Sequence, residues 1–394
     1  MNNFDVIKEN DEKYVAHTYG RFPVAIKQGN GATCEDFDGK EYIDFSSGIG
    51  VNSLGFCDEG WVKAVTEQLN TLQHISNLYY TEPCTKAAKL LCEKTGMKKV
   101  FFSNSGAESN EGAVKCARKY SFQKYGGDRN KIITLVNSFH GRTVTTLSAT
   151  GQDVFHNFFF PFTEGFIHVE ANNFDELIKA VDSTVCAVML ELIQGEGGVM
   201  PLEPDYVSKV ENYCKENDII LIVDEVQTGV GRTGELFAFQ NYGISPDIVT
   251  VAKGIGGGLP LGCVLFGEKT ADTFNPGDHA TTFGGNPVAT AGAGYILETI
   301  DDDFLRQVKE KGEYIRDKLS DMPHVVGTDG LGLMIGVRFD ETVKAADVVK
   351  ATIANGALTL TAKSKLRLLP PLNITYEEID KGLLAIKKSL ESMK

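Results

Sequence analysis

Residues 219–229 read IILIVDEVQTG, and this stretch decides the fold. Five apolar residues in a row make a strand with no polar face, the form taken by strands covered on both sides of a parallel sheet. The run then delivers Asp224 to the strand's carboxyl end, with Glu225 and Gln227 beyond it. Working outward, Lys99–Ser103 (KVFFS), Lys131–Leu135 (KIITL), Cys186–Leu190 (CAVML) and Ile248–Ala252 (IVTVA) repeat the pattern. Helix-period segments such as Ser109–Lys124 and Pro204–Asn217 lie between them. This alternation predicts an α/β fold with a largely parallel sheet. The ends read differently: residues 1–50 carry a helix and alternating strands that turn at Asp38-Gly39, and a long helical stretch runs from Pro287 to Leu319. The expected division is a large α/β domain over 51–290 and a smaller α+β domain built from 1–50 and 291–394.

At ~150 residues per domain, a chain of 394 residues is long enough for two or three domains and needs no disulfide or metal staple. Hydrophobic residues at 42% and charged ones at 23% exclude disorder as the main state. A net charge of −14 argues against nucleic acid or an anionic membrane surface as the main partner. No apolar run approaches the ~18 residues of a membrane helix, and the opening MNNFDVIKEN lacks the pattern of a secretory signal. The eight cysteines are scattered, with no zinc spacing, as expected for buried thiols in a reducing compartment. A cytoplasmic location without a metal site is expected.

In an open parallel sheet, ligands bind where strands end at their carboxyl edge. Four segments end there with suggestive chemistry. Ser103 to Glu108 (SNSGAE) runs from a strand through a small polar loop into a helix, which offers free N–H groups to an anion; an ordinary cap by Ser105 and Glu108 is the plainer reading. Asp224 could hold a cationic group, bind a metal or cap a helix. Lys253 leaves a buried strand into a run with Gly254, Gly256, Gly257 and Gly258, where the backbone must approach something closely. A desolvated amine there is a nucleophile able to form a Schiff base. Asn137 to Thr143 (NSFHGRT) offers Phe139, His140 and Arg142: a core aromatic or a stacking ring, a satisfied core histidine, and a surface charge or a carboxylate clamp.

Together, an anion cradle, an acid, a Schiff-base lysine and an aromatic ring fit what pyridoxal 5'-phosphate requires: a phosphate anchored, a pyridine nitrogen kept protonated, an aldehyde held and a flat ring sandwiched. Almost from end to end, from Gly39-Lys40 to the Arg367 region, the chain resembles the class III pyridoxal-phosphate aminotransferases, and within them the acetylornithine group. The segments that carry the resemblance are SNSGAESNEGAVKCARKY (103–120), SFHGRT (138–143), ELIQGEGG (191–198), VDEVQTGVGRTG (223–234), AKGIGGGLPLG (252–262) and TTFGGNP (281–287).

The resemblance implies fold type I and a homodimer. Lys253 would carry the cofactor on its amine, and Asp224 would pair with the ring nitrogen. Gln227 would bond the phenolic oxygen, Phe139 would stack on the ring, and Glu225 and Val226 would also belong to the cofactor-binding set. Ser105, Gly106 and Ala107 would hold the phosphate, with Thr282 arriving from the second subunit. Arg367 would grip the α-carboxylate of glutamate or 2-oxoglutarate, Arg142 the substrate's other carboxylate, and Thr281 would lie beside the donor. Glu196 would pair with Arg367 while the amine donor is bound. The implied reaction moves the terminal amine of N2-acetylornithine to 2-oxoglutarate, giving N-acetylglutamate semialdehyde and glutamate, in arginine biosynthesis. Ornithine, succinylornithine, succinyldiaminopimelate and 4-aminobutyrate are alternative donors for the same chemistry.

Three departures stand out: Leu192 for a common proline, Ala107 for a threonine found in some relatives, and Gly55 to Glu59 for a turn that usually contains His-Pro. The aromatic stretch Phe155 to Phe166 reads as a buried loop or subunit contact ahead of a ligand patch. Glu191, at a strand end, reads equally as structural support or as a direct participant. The rival classes, a phosphate-ligand binder without catalysis and a nucleotide enzyme, are disfavoured by the presence of Lys253 and Asp224 and by the lack of a dinucleotide or Walker signature.

Overall fold

The structure, a computed structural model, describes residues 3–393. Its centre is a seven-stranded sheet in the order Lys99–Ser103, Gly262–Phe266, Ile248–Val251, Ile220–Asp224, Val185–Leu190, Lys131–Leu135 and Phe166–Val169. Every pairing is parallel except the two made by Gly262–Phe266. That strand is reversed because the chain turns back through the short Gly254–Leu261 segment, and a parallel return needs a longer crossover. All residues of Val185–Leu190 and Ile220–Asp224 are buried, as their continuous apolar runs require.

Both ends of the chain build the smaller part. Glu41–Asp44 pairs antiparallel with Thr33–Asp36 across the Asp38-Gly39 turn, and parallel with Ala357–Leu358 from the far end of the chain. A second sheet runs Val325–Leu331, Met334–Phe339, Lys365–Leu368, Leu360–Ala362. Its third strand carries Arg367, and the Leu369 amide just beyond it donates to the Phe45 carbonyl at 2.7 Å.

Two expectations change. The helical stretch from Pro287 divides into Pro287–Thr299 and Asp302–Ser320, because Asp301 accepts from the Phe304 amide at 2.8 Å and starts a new helix. The aromatic loop is not buried throughout: Phe158, Phe159 and Phe160 lie exposed, while Phe155, Phe162 and Phe166 are half-buried. Among the described residues, no helix is long and apolar enough to cross a membrane, and no cluster of side chains could hold a metal ion.

Candidate active site

The carboxyl edge of the sheet opens into a cleft of about 600 Å³, within the ordinary range for small-molecule sites. Five strand ends meet in it. Asn104 to Ala107, Phe139 to Arg142, Glu191, Asp224, Val226, Gln227 and Lys253 all line it.

Asp224, the last residue of its strand, is buried and fully engaged. Its Oδ1 accepts from the Val226 amide at 3.0 Å. Its Oδ2 accepts from Asn110 Nδ2 at 2.8 Å and faces His140 Nδ1 at 2.8 Å. His140 is therefore more than a satisfied core histidine: it orients the acid. Asn110 escapes sequence reasoning altogether. The available signal is an asparagine inside a helix, one turn after Gly106, where that residue is a poor helix former.

Lys253 follows Ile248–Val251 with a left-handed φ of 49°, a strained conformation for a residue with a side chain. It is half-buried at the floor of the cleft. Burial is the largest influence and lowers its amine below the ordinary lysine value; Glu196 opposes that effect and Arg367 reinforces it. In the glycine run behind it, Gly254, Gly256 and Gly257 pack against the chain's own atoms, while Gly258 lines the cleft. A Cβ on Gly257 would lie 2.7 Å from Trp61 Nε1.

At the other end, Ser105 caps the helix Gly106–Tyr125 by accepting from the Glu108 amide at 3.2 Å, as the plainer reading holds. The Glu108 carboxylate reaches back to the Asn104 amide at 2.8 Å. Amides in a helix's first turn have no intrahelical partner, so those of Gly106 and Ala107 remain donors at a positive dipole end. A Cβ on Gly106 would meet Val226 Cγ1 at 2.7 Å, so the wall closes tightly beside this cradle.

Arg367 is buried and pairs with Glu196 at 2.5 Å. Its Nη1 also donates to Gln227 Oε1 at 3.2 Å, which joins the pair to the cleft wall. Burial by itself would raise the Glu196 carboxyl; Arg367, with help from Lys253 and Gln227, outweighs it and holds the group below its ordinary value. Burial raises Glu191, whose oxygens accept from the Phe139 amide at 2.8 Å and the Gly195 amide at 3.3 Å. It supports the loops that shape the site.

Arg142 is exposed at the rim, its guanidinium over the rings of Phe155 and Phe139. Thr281 Oγ1 accepts from Asn104 Nδ2 at 2.9 Å and so reaches the cleft wall. Two predicted residues are not gathered here. The Glu225 carboxylate turns away to the Phe239 amide at 2.7 Å and to Thr228 Oγ1. Thr282 is exposed and does not line its own chain's cleft. Tyr19, from the N-terminal segment, lines the cleft without any local sequence signal, because a remote part of the chain brings it there.

The donor set fits pyridoxal phosphate. A desolvated amine, a buried carboxylate held by three donors, two apolar walls (Phe139 and Val226) and free helix-end amides share one cleft. Asn110 Oδ1 and His140 Nε2 are buried without partners beside it.

Residues 14–390 match the aminotransferase class-III family. The acetylornithine aminotransferase of Haemophilus ducreyi is 52% identical over 390 residues, 99% of each chain. That of Methanocaldococcus jannaschii is 44% identical over 391 residues, 98% of each. Among solved structures, an ornithine aminotransferase from Toxoplasma gondii superimposes with a TM-score of 0.95 at 32% identity, covering 100% of this chain and 95% of that one. The N-acetylornithine aminotransferase of Stenotrophomonas maltophilia gives 0.84 at 34%, covering 98% of both.

Proposed function

The chain belongs to the class-III aminotransferase family, and from that premise we propose that it transfers the terminal amine of N2-acetylornithine to 2-oxoglutarate, yielding N-acetylglutamate semialdehyde and glutamate, as in arginine biosynthesis. The observation that carries the substrate side is the Arg367–Glu196 pair on the wall of a cleft at whose rim Arg142, among the described residues, has no carboxylate partner. With Arg367 occupied, a donor's carboxylate is directed to Arg142 at the rim, and its far amine extends toward Lys253. When glutamate or 2-oxoglutarate binds, Glu196 yields Arg367 to the α-carboxylate. Full-length identities of 42–52% to acetylornithine aminotransferases support that donor. The ornithine aminotransferase fold match keeps ornithine as the second candidate.

Bound pyridoxal phosphate would supply an electron sink next to the amine-bearing carbon. Asp224, oriented by His140 and Asn110, would keep the ring nitrogen protonated. Gly106, Ala107 and Ser105 would hold the phosphate from one subunit and Thr282 from the other. The Lys253 amine, lowered by burial, would remove and return the proton between reacting carbons as general base and acid. Phe139 and Val226 would exclude water from the ring faces. A homodimer is part of this reading. It is supported by the exposed Leu78, Tyr79, Tyr80 and Phe283 around Thr282. The parallel pairing of Glu41–Asp44 with Ala357–Leu358 supports the division into 51–290 and 1–50 with 291–394. A cytoplasmic setting agrees with the free cysteines.

The test is a visible absorbance spectrum of the purified protein loaded with pyridoxal phosphate. Yellow colour that bleaches with acetylornithine and returns with 2-oxoglutarate is the expected result. Colour unmoved by acetylornithine but bleached by ornithine or 4-aminobutyrate would reassign the donor.

A further inference from the structure

The aromatic loop after the Phe139–Arg142 segment divides in two. Phe158 to Phe160 face solvent, while Phe155 turns inward and lies against the rim of the cleft. The Arg142 guanidinium carbon sits 4.2 Å from the centroid of the Phe155 ring and 5.3 Å from that of Phe139. The two rings meet edge to face, 5.8 Å apart at 73°. Among the described residues, Arg142 has no carboxylate partner. The aromatic faces are thus what fixes an otherwise exposed, many-rotamer side chain.

The turn that carries Phe155 is itself tied down at both ends. The Phe155 amide donates to the Gln152 carbonyl at 3.0 Å, and Gln152 Nε2 donates to the Ser138 carbonyl at 3.0 Å. The Gly151 amide donates to Ser138 Oγ at 3.0 Å, and His156 Nε2 lies 2.8 Å from the Leu147 carbonyl. The ring is therefore held by the same strand-end loop and short helix that flank Arg142. An arginine placed this way is organised before the ligand arrives, which lowers the ordering cost of binding.

We propose that Phe155 is a positioning residue for donor specificity: its ring face sets the Arg142 fork to receive the α-carboxylate of an acylated diamino acid. This rests on the reading that Arg142 takes the donor's carboxylate. Phe155 contributes no polar atom, so its effect belongs to binding and not to the proton transfer at Lys253.

The probe is N-acetylnorvaline, which keeps the acylated α-carboxylate and lacks the reacting amine. Its binding is measured by calorimetry on the cofactor-loaded protein, alongside steady-state kinetics with acetylornithine. Phe155→Leu keeps apolar volume but removes the ring face. It is expected to raise the probe's Kd and the KM for acetylornithine roughly two- to ten-fold, with kcat nearly unchanged. Phe155→Tyr keeps the face and should bind as the native chain does. In an Arg142→Leu background, Phe155→Leu should add almost nothing, since its partner is gone. A normal Kd in Phe155→Leu beside a weakened Arg142→Leu overturns the proposal alone. An unchanged Kd in Arg142→Leu overturns the Arg142 reading and this proposal with it. Additive losses in the double variant also overturn it, because Phe155 would then act independently of Arg142.

Discussion

Arg367 illustrates how one buried cation can be turned from a liability into a selector. Unpaired, it would be costly to bury, and it would also draw any amino acid's α-carboxylate toward Lys253. Glu196 at 2.5 Å and Gln227 at 3.2 Å engage its Nη1, while its Nε is buried without a partner, and Glu196 itself is only half-buried. Truncating the acid exposes the selector. Glu196→Ala is expected to raise the rate with α-amine donors relative to ω-amine donors, by tenfold or more on the ~1.4 kcal/mol scale of a single charge-assisted contact. Paired assays with glutamate and acetylornithine read this ratio, and an unchanged ratio refutes the role. Asp224 shows the complementary logic, since three donors hold one carboxylate so that it stays oriented inside the fold.

At the scale of elements, caps and buried contacts decide where helices begin. Asp301 separates two helices that the hydrophobic pattern runs together, and the acidic Asp302 and Asp303 that follow suit the positive end of the new helix. Asp301→Ala should lower unfolding stability by about 1 kcal/mol, read by denaturant titration, with activity retained. Glu225 links the strand Ile220–Asp224 to the start of the helix Ala238–Tyr242. Burial pushes its carboxyl up to about 7, against the hydrogen bonds from Thr228 and the 238–239 amides. Because the folded value lies above the unfolded one, the stability this group contributes is full at low pH and is lost as pH rises through about 7. Glu225→Gln carries no such titration. Its stability relative to the native chain should therefore improve by about 2 kcal/mol between pH 5 and pH 8. A difference that stays flat with pH would show that Glu225 ionises normally in the fold.

For the whole molecule, the notable surface is the apolar patch formed where residues 74–80 meet 281–284. Asn77 Nδ2 donates to the Gly284 carbonyl at 2.8 Å, and His74 packs on Phe283 at 5.5 Å. The contact leaves Tyr80 fully exposed at 100% and Leu78 at 88%, an arrangement that suits a partner surface better than water. Light scattering is expected to give a dimer for the native chain. Tyr80→Arg combined with Leu78→Asp should yield monomers that bind pyridoxal phosphate weakly, because Thr282 would no longer reach a neighbouring cleft. Monomeric native protein with full activity would refute the shared site.

The parallel sheet, the strand ends that carry Asp224 and Lys253, and the family are legible in the residues alone, because continuous apolar runs and the residues that follow them are local facts. So is the cap at Ser105. Which neighbours work through those residues emerges only from how distant segments pack. Asn110 and His140 converge on Asp224 from a helix and a separate strand end. Glu225 turns its carboxylate away from a cleft that its neighbours Asp224 and Val226 line, since successive positions at a strand end face opposite sides. Tyr19 and Phe155 reach the cleft rim through chain crossings and turns that leave no periodic trace. Which face a side chain takes, and what lies opposite, depends on packing between segments far apart in sequence, and no local pattern encodes that.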